Sequence, residues 1–586
     1  MPVKFENLVE LCERSCREFA SRDLFGVKQG SGWTWMTYAQ FGELVNAFRG
    51  GLASLGVGRG DVVAIIADNR VEWAVACYAT YGLGVSYVPM YQAQLAKEWQ
   101  FILEDCGAKV AIGATDAIVE TLRRMQPDLP ALQHVVGLEL PATDDHSYAA
   151  LLEIGRQRPV PAVFPSSDDV AGLIYTSGTT GMPKGVILSH GNITSNVNAI
   201  HEVFEFTADD RSLAFLPWAH SFGQTCELHC LLSMGCSMAI NDDVKNLVPN
   251  LAEVKPTVLY AVPRVFNRLY DGVNAQIAAK PGIIQWLFKH GIEVATRKAR
   301  GESVGPLDGA LLALADRLIF STVRQRFGGR LKYAISGSAA LSPEVAAFID
   351  ALGITVYEGY GLTETSPIAT ANYPGHRKMG SVGRAIPGVS IQIDRSVTDD
   401  PVNGEIIIRG PNVMRGYHHR PEENAAVLME DHSFRSGDMG YLDPEGYLFI
   451  TGRIKEQYKL ENGKYVVPSP IEEKLKLSPF IANVMIYGAN KPHNVALVVL
   501  DADALRGWAS KQGVAVADIA RSEHVHQLIR TEIETLSKEI KGYERVQNFI
   551  IALEDFTTDN GMLTPTLKLK RRVVLERYGS DLDALY

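Results

Sequence analysis

Eleven residues of this chain, YTSGTTGMPKG at positions 175–185, bring together four aliphatic hydroxyls, three glycines and a lysine. That mixture suits a phosphate. Converging backbone N–H groups bind its oxygens where glycine leaves room for approach, while hydroxyls and an ammonium add further donors. Gly178, Gly181 and Gly185 meet the first need, and Thr176, Ser177, Thr179, Thr180 and Lys184 the second. The preceding VAGLIY is strand-like, which puts the loop at a strand end, where α/β proteins place ligands. Counted from Gly178, the spacing approaches the P-loop pattern GxxxxGK[ST] of nucleotide hydrolases. It fails at Pro183, where the second glycine belongs, and at Gly185, where Ser or Thr should follow the lysine. A P-loop ATPase is therefore disfavoured.

Such a loop needs a parallel sheet behind it, and the first half of the chain alternates accordingly. TYAQFGELVNAFRGGLASLGVGRGDVVAIIADN reads as a Thr37 cap, a helix with apolar residues at three-to-four spacing, a glycine stop at Gly56 and a β-branched strand. SYVPM, AKVAIGA and HVVGLEL are short apolar strands separated by helix-length segments such as QAQLAKEWQFILEDCG. The pattern then changes: GEIIIRGPNVMRGYHHRPEENA and FRSGDMGYLDPEGYLFITGRIKEQ carry short strands and turn signals such as DPEG, as in antiparallel hairpins or a small barrel. After Lys455 another unit begins. Ser469 and Glu472 in SPIEEKL match a helix-start box, followed by strands NVMIYG and VALVVL and a long helix around 525–540. The predicted fold is α/β. Residues 1–453 form a large N-terminal domain of several subdomains, with helix-covered parallel sheets and a small β-barrel, and residues 454–586 a small, mobile α+β C-terminal domain.

Composition excludes several classes. With 46% hydrophobic and 21% charged residues the chain is neither disordered nor an integral membrane protein. A net charge of −10 gives no chain-wide footprint for nucleic acid. The uncharged run Ala74–Tyr91 is divided by Gly82, Gly84, Ser86 and Pro89 into a helix, a turn and a strand. Glu6, Glu10 and Glu13 interrupt the N-terminus, which does not read as a secretion signal. Seven cysteines without a CxxC pair read as reduced, buried thiols of a cytoplasmic protein. Cys226, His229, Cys230 and Cys236 lack the second pair that a structural metal site would need, so they are expected in the core.

Six segments in order, YTSGTTGMPKGVILSHGN, ISGSAAL (335–341), EGYGLTETSP (358–367), FRSGDMG (434–440), GRIKE (452–456) and LTPTLKLKRR (563–572), resemble the motifs of the acyl-adenylate-forming ligases. That superfamily includes acyl-CoA synthetases, firefly luciferase and peptide-synthetase adenylation domains. The resemblance implies that a carboxylate is joined to AMP from ATP with release of pyrophosphate, and the acyl group is then passed to a thiol. It implies that Thr176, Ser177, Gly178, Thr179, Thr180, Gly181 and Lys184 cradle the β- and γ-phosphates. Glu364 would help bind Mg2+ and Thr363 would touch the α-phosphate. Tyr360 and the backbone of Gly337, Ser338 and Ala339 would sandwich adenine, with Glu358, Gly359, Gly361 and Ile450 also in the nucleotide site. Asp438 would accept from the ribose hydroxyls and Arg453 reach ribose or phosphate. His220 would stand beside the acyl channel, near Trp218 and Phe222, and Lys455 would be the hinge on which the C-terminal domain turns. Lys568 is implied as the lysine that bridges the carboxylate and the α-phosphate. Alternation in LKLK puts Lys568 and Lys570 on one strand face, so the choice between the two stays open.

VPRVFNRLYDGV and NGKYVVPSPIEEKL resemble the long-chain fatty acyl-CoA synthetase branch, which implies a medium- or long-chain fatty acid as substrate and ATP, Mg2+ and coenzyme A as its companions. Glu461 and Asn462 precede Gly463 where that branch has smaller residues, which leaves holo acyl carrier protein as an alternative acceptor. The basic run Lys568–Arg572 could meet such an acidic partner, or touch the anionic inner membrane surface peripherally. A non-catalytic fatty-acid-binding protein would have no use for the set Glu364, Asp438, Arg453 and Lys568. Each buried CH2 is worth about 0.8 kcal/mol, so chain-length preference follows tunnel depth, which spacing in the sequence does not display.

Overall fold

The computed structural model describes residues 4–176, 182–398, 400–512, 522–552, 554–564 and 568–586. Local chemistry starts its elements much as expected. Thr37 accepts from the Gln40 amide and Gln40 accepts from the Thr37 amide, a reciprocal box that opens the helix Tyr38–Ser54. Gly56 takes φ +75 just beyond its end, and the strand Val62–Ile66 follows.

Two large sheets result. One runs, edge to edge, Gly416–Tyr417, Lys184–Ser189, Val170–Thr176, Ser86–Met90, Val62–Ile66, Val110–Gly113, His134–Gly137. It is parallel except where Lys184–Ser189 folds back on Val170–Thr176 and receives Gly416–Tyr417. The other has nine strands, with Val356–Gly361, Tyr333–Ser336, Val258–Ala261, Arg211–Ala214 and Ser237–Ile240 in parallel at its centre. Helices fill the space between, and one buried cluster joins both sheets around Trp73 and Trp218, whose rings lie 5.8 Å apart. Trp218 is thus a core residue. The seven cysteines are free thiols, six of them buried, and among the described residues no His, Cys, Asp and Glu group is arranged for a metal ion.

The expected small barrel is an antiparallel sheet of four strands, Ser390–Asp394, Gly404–Arg409, Phe434–Leu442 and Leu448–Arg453, with two open edges. Ile406, Ile408, Phe434 and Leu448 join the main core, so one face finds its apolar cover there and the sheet has no need to close on itself. Beyond it, the strands Ile481–Tyr487, Asn494–Leu500 and Val546–Ile551 form a separate sheet with its own apolar cover on both faces. Val484, Ile486, Ala496 and Val498 face the helices Pro468–Leu475 and Glu523–Leu536, while Met485, Val495, Leu497 and Val499 pack with Val574, Tyr578 and Leu582 of Arg571–Asp583. The expected start box at Ser469 is not formed. That helix begins at Pro468, the Ser469 hydroxyl donates to Glu456 at 2.6 Å, and Glu472 accepts from the Ile486 amide at 2.7 Å and pairs with Arg571. Tertiary partners have captured both side chains.

One π-helical stretch, Phe222–His229, carries a buried acid. Glu227 is 1% exposed and flanked by Ser212 and Trp218, yet neither of its oxygens has a good hydrogen bond. Burial pushes its carboxyl up to about 8, with those two neighbours pulling it back. The native state therefore keeps a proton that the unfolded chain releases near the ordinary glutamate value of about 4.3. Stability contributed by the neutral carboxyl is complete below that value and is lost as pH rises through about 8. Glu227→Gln is expected to be more stable than the parent above pH 8, by an amount on the order of 5 kcal/mol, with the gap closing toward pH 4. Thermal melts across that range check it; parallel melting curves for the two proteins at every pH would contradict it.

Candidate active site

The C-terminal ends of the central strands, the four-stranded sheet and the C-terminal unit face a common cleft of about 2080 Å3, ample for more than one small substrate. Its floor is the strand Val356–Gly361 and the loop after Tyr333–Ser336. Ser338 in that loop is held at φ +71, a left-handed conformation that non-glycine residues seldom take and that recurs where a fold builds a ligand site. Gly337 lies so near Phe222 that a Cβ would stand 3.2 Å from its ring. At Gly361 a Cβ would overlap the Pro367 carbonyl, so only glycine lets the chain double back there. Ala339, Gly359 and Ile450 line the same space. Glu358 lies there too, its carboxyl pushed up to about 7 by burial and held back by the Leu341 amide and Arg377.

Across the cleft the hairpin register sets Asp438 opposite Arg453. Arg453 Nε lies 2.9 Å from Asp438 Oδ1, and the Tyr360 hydroxyl donates to Asp438 Oδ2 at 2.7 Å. Burial raises the Asp438 carboxyl above its usual range, and the guanidinium and phenol limit that rise. The Asp438 charge in turn raises Arg453. Both carboxylate oxygens are thus engaged, and Tyr360 supports the acid as well as lining the cleft.

Thr363 and Glu364 form one short turn that lines the same cleft. The Thr363 and Ser221 hydroxyls are 3.2 Å apart, and Glu364 Oε1 accepts from the Tyr417 hydroxyl at 2.8 Å. Tyr417 is delivered by its pairing with Val186, and Lys184 stands over its ring at 5.4 Å while reaching Glu423 at 3.4 Å. Thr176 pairs with Lys184 at the mouth of the hairpin. Ser177, Gly178, Thr179, Thr180 and Gly181 lie outside the described residues. His220 lines the cleft with its Nδ1 accepting from the Phe222 amide at 3.1 Å, which leaves Nε2 protonated and directed elsewhere. Burial, then the charge of Lys568, pushes its pKa down to about 3, so the ring is neutral.

The C-terminal unit contributes Lys568. Two contacts with Thr564 position it: the Lys568 amide donates to Thr564 Oγ1 at 3.0 Å and the Thr564 amide to the Lys568 carbonyl at 2.8 Å. Part of its surface is open to the cleft, yet the protein around it disfavours its cation. Arg453 adds to that effect while Asp438, Glu364 and Glu456 oppose it, and its pKa lies below that of free lysine. Lys570 lines the cleft as well, but its ammonium is 3.5 Å from Glu98 of the N-terminal region. The two lysines that strand alternation left together have different partners.

Residues 12–418 match the AMP-binding enzyme family and residues 455–586 the AMP-binding enzyme C-terminal domain. The chain belongs to the AMP-binding enzyme family. The long-chain-fatty-acid–CoA ligase FadD15 of Mycobacterium bovis is 34% identical over 569 residues, covering 94% of this chain and 92% of that protein. The peroxisomal long chain acyl-CoA synthetase 6 of Arabidopsis thaliana is 31% identical, covering 94% of this chain and 82% of its own length. In fold, the adenylation domain of a Mycobacterium chelonae carboxylate reductase superposes with a TM-score of 0.80 at 24% identity, covering 99% of this chain and 91% of that one.

Four residues that line this cleft escaped the motif reading: Tyr417, Ser221, Glu456 and Glu98. Glu456 lies inside GRIKE, but its hydroxyl partner Ser469 is thirteen residues on. Tyr417 is 53 residues from Glu364, and no spacing rule links them. The Asp438 network carries a direct consequence for the nucleotide. Asp438→Asn removes an ionised acceptor and leaves Arg453 without its partner, so AMP affinity measured by calorimetry is expected to fall roughly ten- to hundredfold. Unchanged AMP affinity would remove Asp438 from the site.

Proposed function

We propose that this chain activates a medium- or long-chain fatty acid with ATP, forming acyl-AMP and pyrophosphate, and then transfers the acyl group to coenzyme A. The observation that carries this reading is the arrival of Lys568, from the C-terminal unit, in a cleft where Asp438, Arg453, Glu364 and Thr363 already converge. Curated relatives named as long-chain fatty acid CoA ligases across nearly the whole chain support the substrate class and the acceptor.

Two anions must meet for this reaction, a carboxylate and the α-phosphate of ATP. Cations held in place before the reaction lower that barrier, because they need not reorganise as charge builds up. Lys568 in its protonated form would lie between carboxylate and α-phosphate, with Arg453 alongside and Thr363 donating to the same phosphate. Asp438 would take the ribose hydroxyls, exchanging its Tyr360 and Arg453 bonds for them in part, and the loop at 337–339 would cover adenine beside Tyr360. The hairpin ending in Thr176 and Lys184 would hold the outer phosphates. Neutral His220 would border the acyl group. Mg2+ fits as an ion brought by the nucleotide, since it keeps waters and substrate phosphates and asks only one or two carboxylates of the protein. Glu364 fits that part, held in orientation by Tyr417, and the ion would supply charge neutralisation at the phosphates.

The acceptor reading favours coenzyme A on a further ground. Most of the basic run expected to meet a carrier protein or a membrane is used internally: Lys568 in the cleft, Lys570 on Glu98 and Arg571 on Glu472, while Arg572 stays exposed. The domain boundary near 453 and 454, a hinge at exposed Lys455 and rotation of the unit 454–586 between the two half-reactions belong to the same proposal. They are supported by the separate apolar cores of that unit. Placement in the cytoplasm is likewise a proposal; no helix among the described residues is long and apolar enough to cross a membrane.

ATP–pyrophosphate exchange driven by a series of fatty acids, with thioester analysis in the presence of coenzyme A or holo acyl carrier protein, tests the reading. Exchange that rises with chain length to an optimum and a coenzyme A thioester as product are expected; failure of every carboxylate to support exchange would refute it. Lys568→Ala should lose exchange by about 10²- to 10³-fold while still converting supplied acyl-AMP to the thioester. Because its pKa is lowered, the Lys568 cation is lost at lower pH than that of an ordinary lysine, so kcat/KM for exchange should fall on the alkaline side before an ordinary lysine would titrate. Lys568→Arg, which stays charged, should move that limb out of range; an unmoved limb assigns it to another group.

A further inference from the structure

The helix Gly282–Ala299 and the helix Pro306–Ala315 form a pair whose inner sides are buried and whose outer side is apolar and open. Leu287, Phe288, Gly291 and Val294 point inward, where Gly291 has only 2.7 Å between an added Cβ and Ala315, and Phe320 closes the layer. The pair is locked by His290 and Arg297, which reach Asp308 at 3.1 and 3.2 Å. Trp286 stacks on His290 with ring centroids 5.3 Å apart.

On the outside stand Ile283, Trp286, Leu307, Leu314 and Leu318, at 68%, 51%, 74%, 45% and 53% exposure. Their spacing, three residues on one helix and seven then four on the other, keeps each set on one side. Large apolar residues are exposed elsewhere too, Phe164 and Val244 among them, but the exposed leucines and tryptophan of the described residues all gather on this face. Exposed Lys280, Lys289 and Arg317 border it. The surrounding sequence, residues 280–332, has ten Lys and Arg against four Asp and Glu, in a chain whose net charge is −10. Neither helix can cross a membrane. An apolar helix face with tryptophan and leucine, rimmed by cations and too polar to span, has the composition of an element that lies in the interface of an anionic bilayer.

We infer that this helix pair docks the enzyme on an anionic lipid surface. The preceding helix, Pro263–Ala278, packs against Gly282–Ala299 and lines the cleft with Arg264, Asn267, Arg268 and Asp271. The docked face is therefore one helix away from the active site. This inference rests on the proposed substrate class for its purpose, since a fatty acid partitions into the same bilayer, but its physical content is independent of catalysis.

The full-length protein is to be sedimented with phosphatidylcholine vesicles with and without phosphatidylglycerol, in the absence of ATP. Co-sedimentation with the anionic vesicles, weakened by salt, is expected. Lys289→Glu with Arg317→Glu should lower the partition coefficient about tenfold or more. Leu307→Ser with Leu314→Ser should lower it by roughly tenfold, with melting temperature and vesicle-free pyrophosphate exchange as in the parent. Parent protein that ignores anionic vesicles, or variants that bind them as the parent does, would overturn the inference. So would a parent dimer that the apolar variant converts to monomer, which would make the face a contact between two copies. Exchange in vesicle-free buffer reads the proposed activity separately, so failure of one reading does not imitate failure of the other.

Discussion

A charged lysine has to be kept next to a charged arginine, and much of the architecture answers that requirement. Lys568 and Arg453 disfavour one another's charge, and the surrounding protein disfavours Lys568 further. Asp438, Glu364 and Glu456 offset this from three separate elements: a hairpin strand, a short turn and the segment leading into the C-terminal unit. The arrangement is balanced for a site that must admit two more anions. Substrate charge then adds to the carboxylates already present, and a lysine from a second unit can be held there without collapsing onto a permanent partner.

The parallel sheets supply the fixed half of the site. Val356–Gly361 and Tyr333–Ser336 run side by side and release their loops at the same end, which places the loop at 337–339 and the Thr363–Glu364 turn within one cleft. The four-stranded sheet brings Asp438 and Arg453 into the same space because antiparallel register makes them direct neighbours. Rigid strands serve groups that must keep their geometry. Lys568 belongs instead to a unit with its own cores, where movement as a body costs little internal packing.

Local signals were legible where their partners are local. The Thr37 box and the Gly56 stop depend on atoms within a few residues, and both form. Ser469 and Glu472 have the same pattern but lie beside Glu456, Arg571 and the strand amide of Ile486, and these stronger partners win. Trp218 and Phe222 could not be told apart by sequence: each is an aromatic near a strand end. One fills the core between two sheets, and the other lies against Gly337 in the cleft. Barrel closure was equally invisible, because strand patterning shows which face is apolar and not what covers it.

By itself the sequence determined the α/β class, the order of the motifs and the residue types that phosphate and carboxylate chemistry require, since these rest on period, glycine placement and side-chain functional groups. It left Lys568 and Lys570 equivalent, because alternation reports only the side of a strand. The tertiary structure gave them different surroundings through long-range proximity: Lys570 meets Glu98, while Lys568 enters the field of Arg453, Asp438 and Glu364. Electrostatic environment is a property of what surrounds a residue in space, and those neighbours come from more than a hundred residues away in the chain.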